Sequence, residues 1–295
     1  MTGWPLPCEP RRNTCSALPK EALLNRTMSM LRVGAVVLVG TLTLGACGGD
    51  DDDTSSSSSS SGDMELISDG KLVVCSDIPY APFEFEDDAG ELVGIDIELV
   101  KAMGDDLGLE VEFKDTDFDG IFAALKAKQC DMIASSVSIT DERKAENEFT
   151  EGYYDIRQSM LVRAADASTL VDAASVNGKK VGVQSETTGA AYAADTLEGA
   201  EIKEFTGADE MVTALKANQV DAVVQDLPIN GYAATKSDGE LVLSAEFDSD
   251  PESYGFVVAK GNTGLVDALD GALAALRSNG KYDAIVKAYV GDLPS

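Results

Sequence analysis

The stretch Ala124-Leu125-Lys126-Ala127-Lys128-Gln129-Cys130-Asp131 returns ninety positions later as Ala214-Leu215-Lys216-Ala217-Asn218-Gln219-Val220-Asp221, each copy leading from a helical pattern into an apolar run. A helix-to-strand corner that recurs in the same supersecondary context implies two units of similar construction. The flanking patterns agree. Lys71 to Ser76 is a compact apolar strand, Asp96 to Leu107 places Leu99, Val100, Met103 and Leu107 on one helical face, and Leu109 to Lys114 alternates as a strand. A helix over Gly120 to Lys128 then leads into a strand at Met132 to Ala134. Strands alternating with helices predict an α/β protein with mainly parallel sheets flanked by helices. The second unit opens with a strand at Lys180 to Gln184, continues through Ala222 to Val224 and closes near Leu241 to Leu243. A last strand at Tyr254 to Val258 and helices at Leu265 to Ser278 and Tyr282 to Val290 return to the first unit if two strands cross between them.

Composition narrows the chemistry. The 295 residues include 52 acidic and 23 basic side chains, a formal charge of -29 that disfavours nucleic acid, whose phosphates need clustered Lys and Arg. There is no histidine, which removes Ser-His-Asp and Cys-His nucleophiles and histidine metal sites. No cofactor or metal is expected.

Met28 to Ala46 has the layout of a secretory signal peptide: Arg32, an apolar run from Val33 to Leu44, then Gly45 and Ala46. The run is too short to span a bilayer, which takes ~20 apolar residues. Leu44-Gly45-Ala46-Cys47 resembles the bacterial lipobox, which implies lipidation at Cys47 and an anchor on the outer face of the cytoplasmic membrane. Residues 1–46 are therefore assigned to the signal segment, with Met28 or Met30 as the expected translation start. Residues 47–65, with Asp50 to Asp53 and an unbroken serine run from Ser55 to Ser61, form a polar tether with nothing to bury. Lipidation leaves Cys75 and Cys130, which are read as two buried free thiols although an oxidising compartment would also permit pairing.

In parallel α/β sheets ligands bind beyond the carboxyl ends of strands. Four such ends are polar here: Ser76-Asp77, Ser135-Ser136-Val137-Ser138, Gln184-Ser185 and Gln225-Asp226. Thr140 reads as a helix N-cap with Asp141 and Glu142 in the first turn. Arg143 in that turn opposes the helix dipole unless it joins the free amides in holding an anion such as a carboxylate, the alternative being a surface ion pair.

Leu72-Val73-Val74 with Asp77, Tyr80-Ala81-Pro82-Phe83-Glu84-Phe85, Gly94-Ile95-Asp96-Ile97, Ser138-Ile139-Thr140 with Arg143, and Gly152-Tyr153-Tyr154 resemble the family 3 solute-binding proteins of polar-amino-acid ABC importers. Val181-Gly182-Val183-Gln184, Thr187-Thr188-Gly189, Asp221-Ala222-Val223 with Asp226, and Gly280-Lys281-Tyr282 extend the resemblance over residues 66–291. The resemblance implies a two-lobed periplasmic-binding-protein-like fold with a two-strand hinge, lobe 1 from 66–156 plus 252–295 and lobe 2 from 157–251. It implies that Arg143 pairs with a ligand α-carboxylate, aided by amides near Ser138 and Thr188. Asp226 with Ser136 and Ser138 would take the α-ammonium, Tyr80 and Phe118 would sandwich the side chain, Asp77 and Gln184 would read its far end, and Ser135 is counted among the ligand-binding residues. Glu186 departs from the family, which often has glycine there, and is expected to crowd the loop or charge the pocket rim. A monomer is expected, partnered by an amino acid and a membrane permease. The alternatives are a dehydratase of cyclic amino-acid precursors on the same fold, with Asp77 or Glu186 as the acid, and a ligand-sensing module.

Overall fold

The computed structural model describes residues 64–291. The signal segment, Cys47 and nearly all of the tether lie outside the described residues.

The first half of the chain lays down β1 (Lys71–Ser76), the short β2 (Phe85–Glu86) and β3 (Leu92–Val93), α1 (Ile95–Leu107), β4 (Glu110–Asp115), α2 (Phe118–Lys126), β5 (Met132–Ile133), α3 (Asp141–Glu146) and β6 (Asn147–Phe149). A three-residue strand β7 (Tyr154–Ile156) then leads to β8 (Gln158–Arg163), β9 (Lys180–Gln184), α4 (Thr188–Thr196), β10 (Glu201–Phe205), α5 (Ala208–Lys216), β11 (Ala222–Asp226), α6 (Leu227–Thr235) and β12 (Leu241–Glu246). The chain returns through β13 (Glu252–Tyr254) to β14 (Val257–Ala259), α7 (Thr263–Ser278) and α8 (Lys281–Val290).

Two five-stranded sheets result, with orders β4-β1-β5-β14-β6 and β10-β9-β11-β8-β12. Each has a parallel trio, β4-β1-β5 or β10-β9-β11, extended by two further strands through two successive antiparallel pairings, so that only the fourth strand runs against the trio. The sheets are thus mixed, and β8, absent from the pattern of apolar runs, supplies an inner strand of the second. Between the sheets run β7 and β13, paired antiparallel with Glu252 opposite Ile156 and Tyr254 opposite Tyr154.

The sequence echo is a structural echo. Gln129 N donates to Ala124 O and Gln219 N to Ala214 O, while Lys128 and Asn218 both take positive φ, 57° and 59°, to stop their helices. Asp131 N then bonds Val73 O, and Asp221 N bonds Lys180 O, so each corner delivers the third parallel strand to the first. One glycine is indispensable here: at Gly94, φ 129°, a Cβ would lie 2.0 Å from the Phe83 carbonyl oxygen, and this close approach starts α1 against the Tyr80–Glu84 turn.

The expectation of two free thiols is corrected: Cys75 and Cys130 form a disulfide, with Cα atoms 5.7 Å apart. The sequence places each cysteine beside a strand. It does not reveal that β1 and β5 are direct neighbours, with Cys75 opposite Ile133, which brings Cys130, two positions before β5, within bridging range.

Candidate functional site

Arg143 owes its place to a cap. The Thr140 hydroxyl accepts from Arg143 N at 3.1 Å and opens α3, a six-residue helix that fixes the start of the arginine side chain. The guanidinium donates to the Ser138 carbonyl and to the Glu186 carbonyl, both at 2.9 Å, and its Cζ lies 5.5 Å and 5.4 Å from the ring centres of Phe118 and Phe122. A guanidinium has five N–H donors, so these two bonds leave capacity for a further acceptor. Burial lowers its pKa from the ordinary arginine value, against the pull of Asp226 and Glu252, without an acidic partner bonded to it.

Asp226 ends β11 and is 7% exposed. It precedes α6 in the N-cap position, yet its side chain makes no capping bond; the carboxylate is drawn away by side chains instead. Tyr80 OH donates to Oδ2 at 3.1 Å, Tyr254 OH donates to the same oxygen at 2.5 Å, and Gln158 Nε2 donates to Oδ1 at 2.6 Å. Burial pushes the carboxyl up to about 6, with Glu252 adding like-charge repulsion and the three donors opposing both.

The far end is built from β1 and β9. Gln184 Nε2 donates to Asp77 Oδ2 at 2.6 Å and to Thr206 O at 2.8 Å. Asp77 is 8% exposed, and burial lifts it to about 7; Gln184 opposes the shift, while Asp117, Asp115 and Asp209 reinforce it. Ser135 Oγ accepts from Asp77 N and donates to Glu84 Oε1, both at 3.0 Å. Ser136 is held at φ 48° by Asp96, whose Oδ2 accepts its amide at 2.9 Å, and its hydroxyl donates to Glu84. Ser138 and Thr188 approach through their hydroxyls at 3.4 Å. Glu84 and Asp96 are fully buried, and burial raises both, Asp96 to about 7.

Asp77, Tyr80, Phe118, Ser135, Ser136, Ser138, Arg143, Gln184, Thr188 and Asp226 line one narrow cavity. All ten sequence-selected positions meet there, and Thr187 is the one lining residue outside that set. Glu186 is exposed and does not line it; its backbone takes φ 63°, which explains why glycine is favoured at that position, and it serves Arg143 through its carbonyl. Sequence reasoning missed Gln158 and Tyr254. Their signal is positional only: Gln158 faces Asp226 in the β8–β11 register, and Tyr254 lies on the returning strand.

The arrangement offers a cation and a carboxylate, from the first and second halves of the chain, on the walls of one cavity, with a second carboxylate and an amide beyond them. It can recognise a zwitterion and inspect its side chain.

Comparisons with known proteins agree with this chemistry. Residues 72–292 match the family described as bacterial extracellular solute-binding proteins, family 3. The chain is 29% identical over 222 residues to the L-cystine-binding protein TcyJ of Escherichia coli strain K12, covering 75% of this chain and 83% of that one. It is 32% identical over 227 residues to the histidine-binding periplasmic protein of Salmonella typhimurium, covering 74% and 87%. An ancestral arginine-binding protein bound to glutamine superimposes with a TM-score of 0.72 at 34% identity, covering 76% of this chain and 99% of that one.

Proposed function

Because the chain belongs to the bacterial extracellular solute-binding proteins of family 3, we propose that it is the substrate-binding component of an ABC importer, capturing a polar amino acid with a cationic or amide side chain. The observation that carries this reading is the pairing of Arg143 and Asp226 across one small cavity with Asp77 and Gln184 at its far end. An α-carboxylate takes the free donors of Arg143, and an α-ammonium takes Asp226 with the neighbouring serine groups. A cationic side chain then meets Asp77, and an amide meets both Asp77 and Gln184. A side-chain carboxylate would face Asp77 without compensation, so glutamate and aspartate are rejected.

In this reading 66–156 with 252–295 form one lobe, 157–251 form the other, and β7 and β13 are the hinge. Arg143 and Asp226 then belong to different lobes, so the ligand's two charged ends favour the closed form that a permease would recognise. Cys47 carries the lipid anchor, the protein acts as a monomer on the outer face of the membrane, and it is not an enzyme. The relatives support the amino-acid part of this reading, because their names specify cystine, histidine and arginine.

Mass spectrometry of protein purified from a lipoprotein-processing bacterium, followed by a thermal-shift panel of the twenty amino acids, tests the proposal. The expected result is an acyl mass on Cys47, an unchanged amino acid retained by the protein, and the largest shifts with arginine, lysine or glutamine. Conversion of a cyclic amino-acid precursor would instead assign the chain to a dehydratase, with Asp77 or Glu186 as its acid. The largest shift with glutamate or aspartate would overturn the side-chain assignment.

A further inference from the structure

Gln158 is 0% exposed, yet its side chain is not fully satisfied. Its amide nitrogen faces three acceptors, Asp226 Oδ1 at 2.6 Å, Glu252 Oε1 at 3.1 Å and Thr188 Oγ1 at 3.3 Å. Two carboxylates on that side fix the orientation, because the opposite one would set the amide oxygen against both. Gln158 Oε1 is buried without a donor, packed where a Cβ on Gly189 would approach it to 2.9 Å. Glu252 Oε2 is likewise buried without a donor. Two orphaned acceptors at one corner are a cost that an ordinary staple between strands does not require, since an apolar pair would hold β8 against β13 without it.

Their placement suggests what the cost sustains. Gln158 is the direct partner of Asp226 in the β8–β11 ladder, and Glu252 sits on β13 opposite Ile156 of β7, on the two strands that join the sheets. The amide is therefore a rigid link from the crossing strands to the carboxylate that faces the cavity. We propose that Gln158 and Glu252 are positioning residues for Asp226: Gln158 aims the carboxylate, and Glu252 stands behind it as a second negative charge that strengthens the pole receiving an ammonium group. This rests on the reading that the cavity takes an amino acid.

The groups facing Asp226 are Tyr80 from the turn after β1, Tyr254 and Glu252 from β13, Gln158 from β8 and the Arg143 charge from α3. Within that set Glu252 raises Asp226, whereas the Gln158 hydrogen bond lowers it. The two residues consequently predict opposite outcomes. Glu252→Gln keeps an acceptor of the same length for the Gln158 amide and removes only the charge. Gln158→Met keeps the volume and removes the link.

Calorimetric affinities for L-arginine and L-glutamine, measured across the acid range on the full chain and both variants, read the pH at which binding fails. The Asp77 contribution is common to all three proteins and cancels in the comparison. Glu252→Gln is expected to move that acid limb down by about half a pH unit and Gln158→Met to move it up by a similar amount. Limbs that stay at the wild-type position, or that move together in one direction, overturn the proposal while the amino-acid reading stands. A Gln158→Met protein that fails to fold leaves the decision to Glu252→Gln, whose unmoved limb is sufficient to refute. Absence of binding by the wild type to any amino acid would overturn both.

Discussion

The two charged poles of the cavity are held by opposite means. Arg143 stands on a short helix with no buried residues of its own, and it is secured by backbone carbonyls and aromatic faces that leave its charge uncompensated by any bonded acid. Asp226 ends a fully buried strand and is secured by three side-chain donors around its two oxygens. A guanidinium tolerates this treatment because it is weakly hydrated and keeps its proton, whereas a buried carboxylate without donors simply protonates. The cationic pole is therefore held open for an anion, and the anionic pole is kept partly ionised by its neighbours.

Breaking the cationic pole should have the largest effect. Arg143→Ala leaves a ligand carboxylate in the cavity without its charged partner, at a cost of about 2–5 kcal/mol, so titration calorimetry should show affinity weakened far beyond tenfold. Near-native affinity in that variant would remove Arg143 from the site. Asp226→Asn is expected to cost less, about 1.5–3 kcal/mol, because the amide oxygen still accepts from Tyr80, Tyr254 or Gln158 while the charge is lost. An Asp226→Asn loss exceeding that of Arg143→Ala would reverse the ranking of the poles. The smallest effect is that of proton concentration. With Asp77 at about 7 and Asp226 at about 6, the affinity for a cationic amino acid should rise about tenfold from about pH 6 to about pH 8 as both become charged. The stability of the ligand-free protein should move the other way. Carboxyls whose folded values exceed their unfolded ones bind protons more tightly when folded, so their contribution is full below the ordinary carboxylate range and falls as pH rises through about 7. Melting curves that rise across that window would contradict the burial of these acids.

Much of this was readable beforehand because it depends on local pattern. The Ala124–Asp131 and Ala214–Asp221 corners announce themselves through residue order, and polar residues just after apolar strands mark where a parallel sheet presents its ligands. Arg143 was visible through an electrostatic oddity in the first turn of a helix. What stayed hidden depends on which strands lie side by side. The neighbourhood of β1 and β5 decides the fate of Cys75 and Cys130, and the register of β8 against β11 decides that Gln158 meets Asp226. Tyr254 was equally opaque, since an apolar run on a returning strand gives no hint that its hydroxyl ends on a carboxylate some 28 positions away in the chain.

The bond between Cys75 and Cys130 spans 55 positions and encloses the turn bearing Tyr80 and Glu84, the whole of α1 and α2, and the exposed corner at Asp87–Gly90. Extracellular proteins meet proteases, and exposed corners are where cleavage begins. A single cut inside this ring severs the backbone without parting the pieces: the aromatic wall with Tyr80 and Phe118 stays covalently joined to the remainder of the chain. A nicked molecule therefore migrates as two fragments only after reduction.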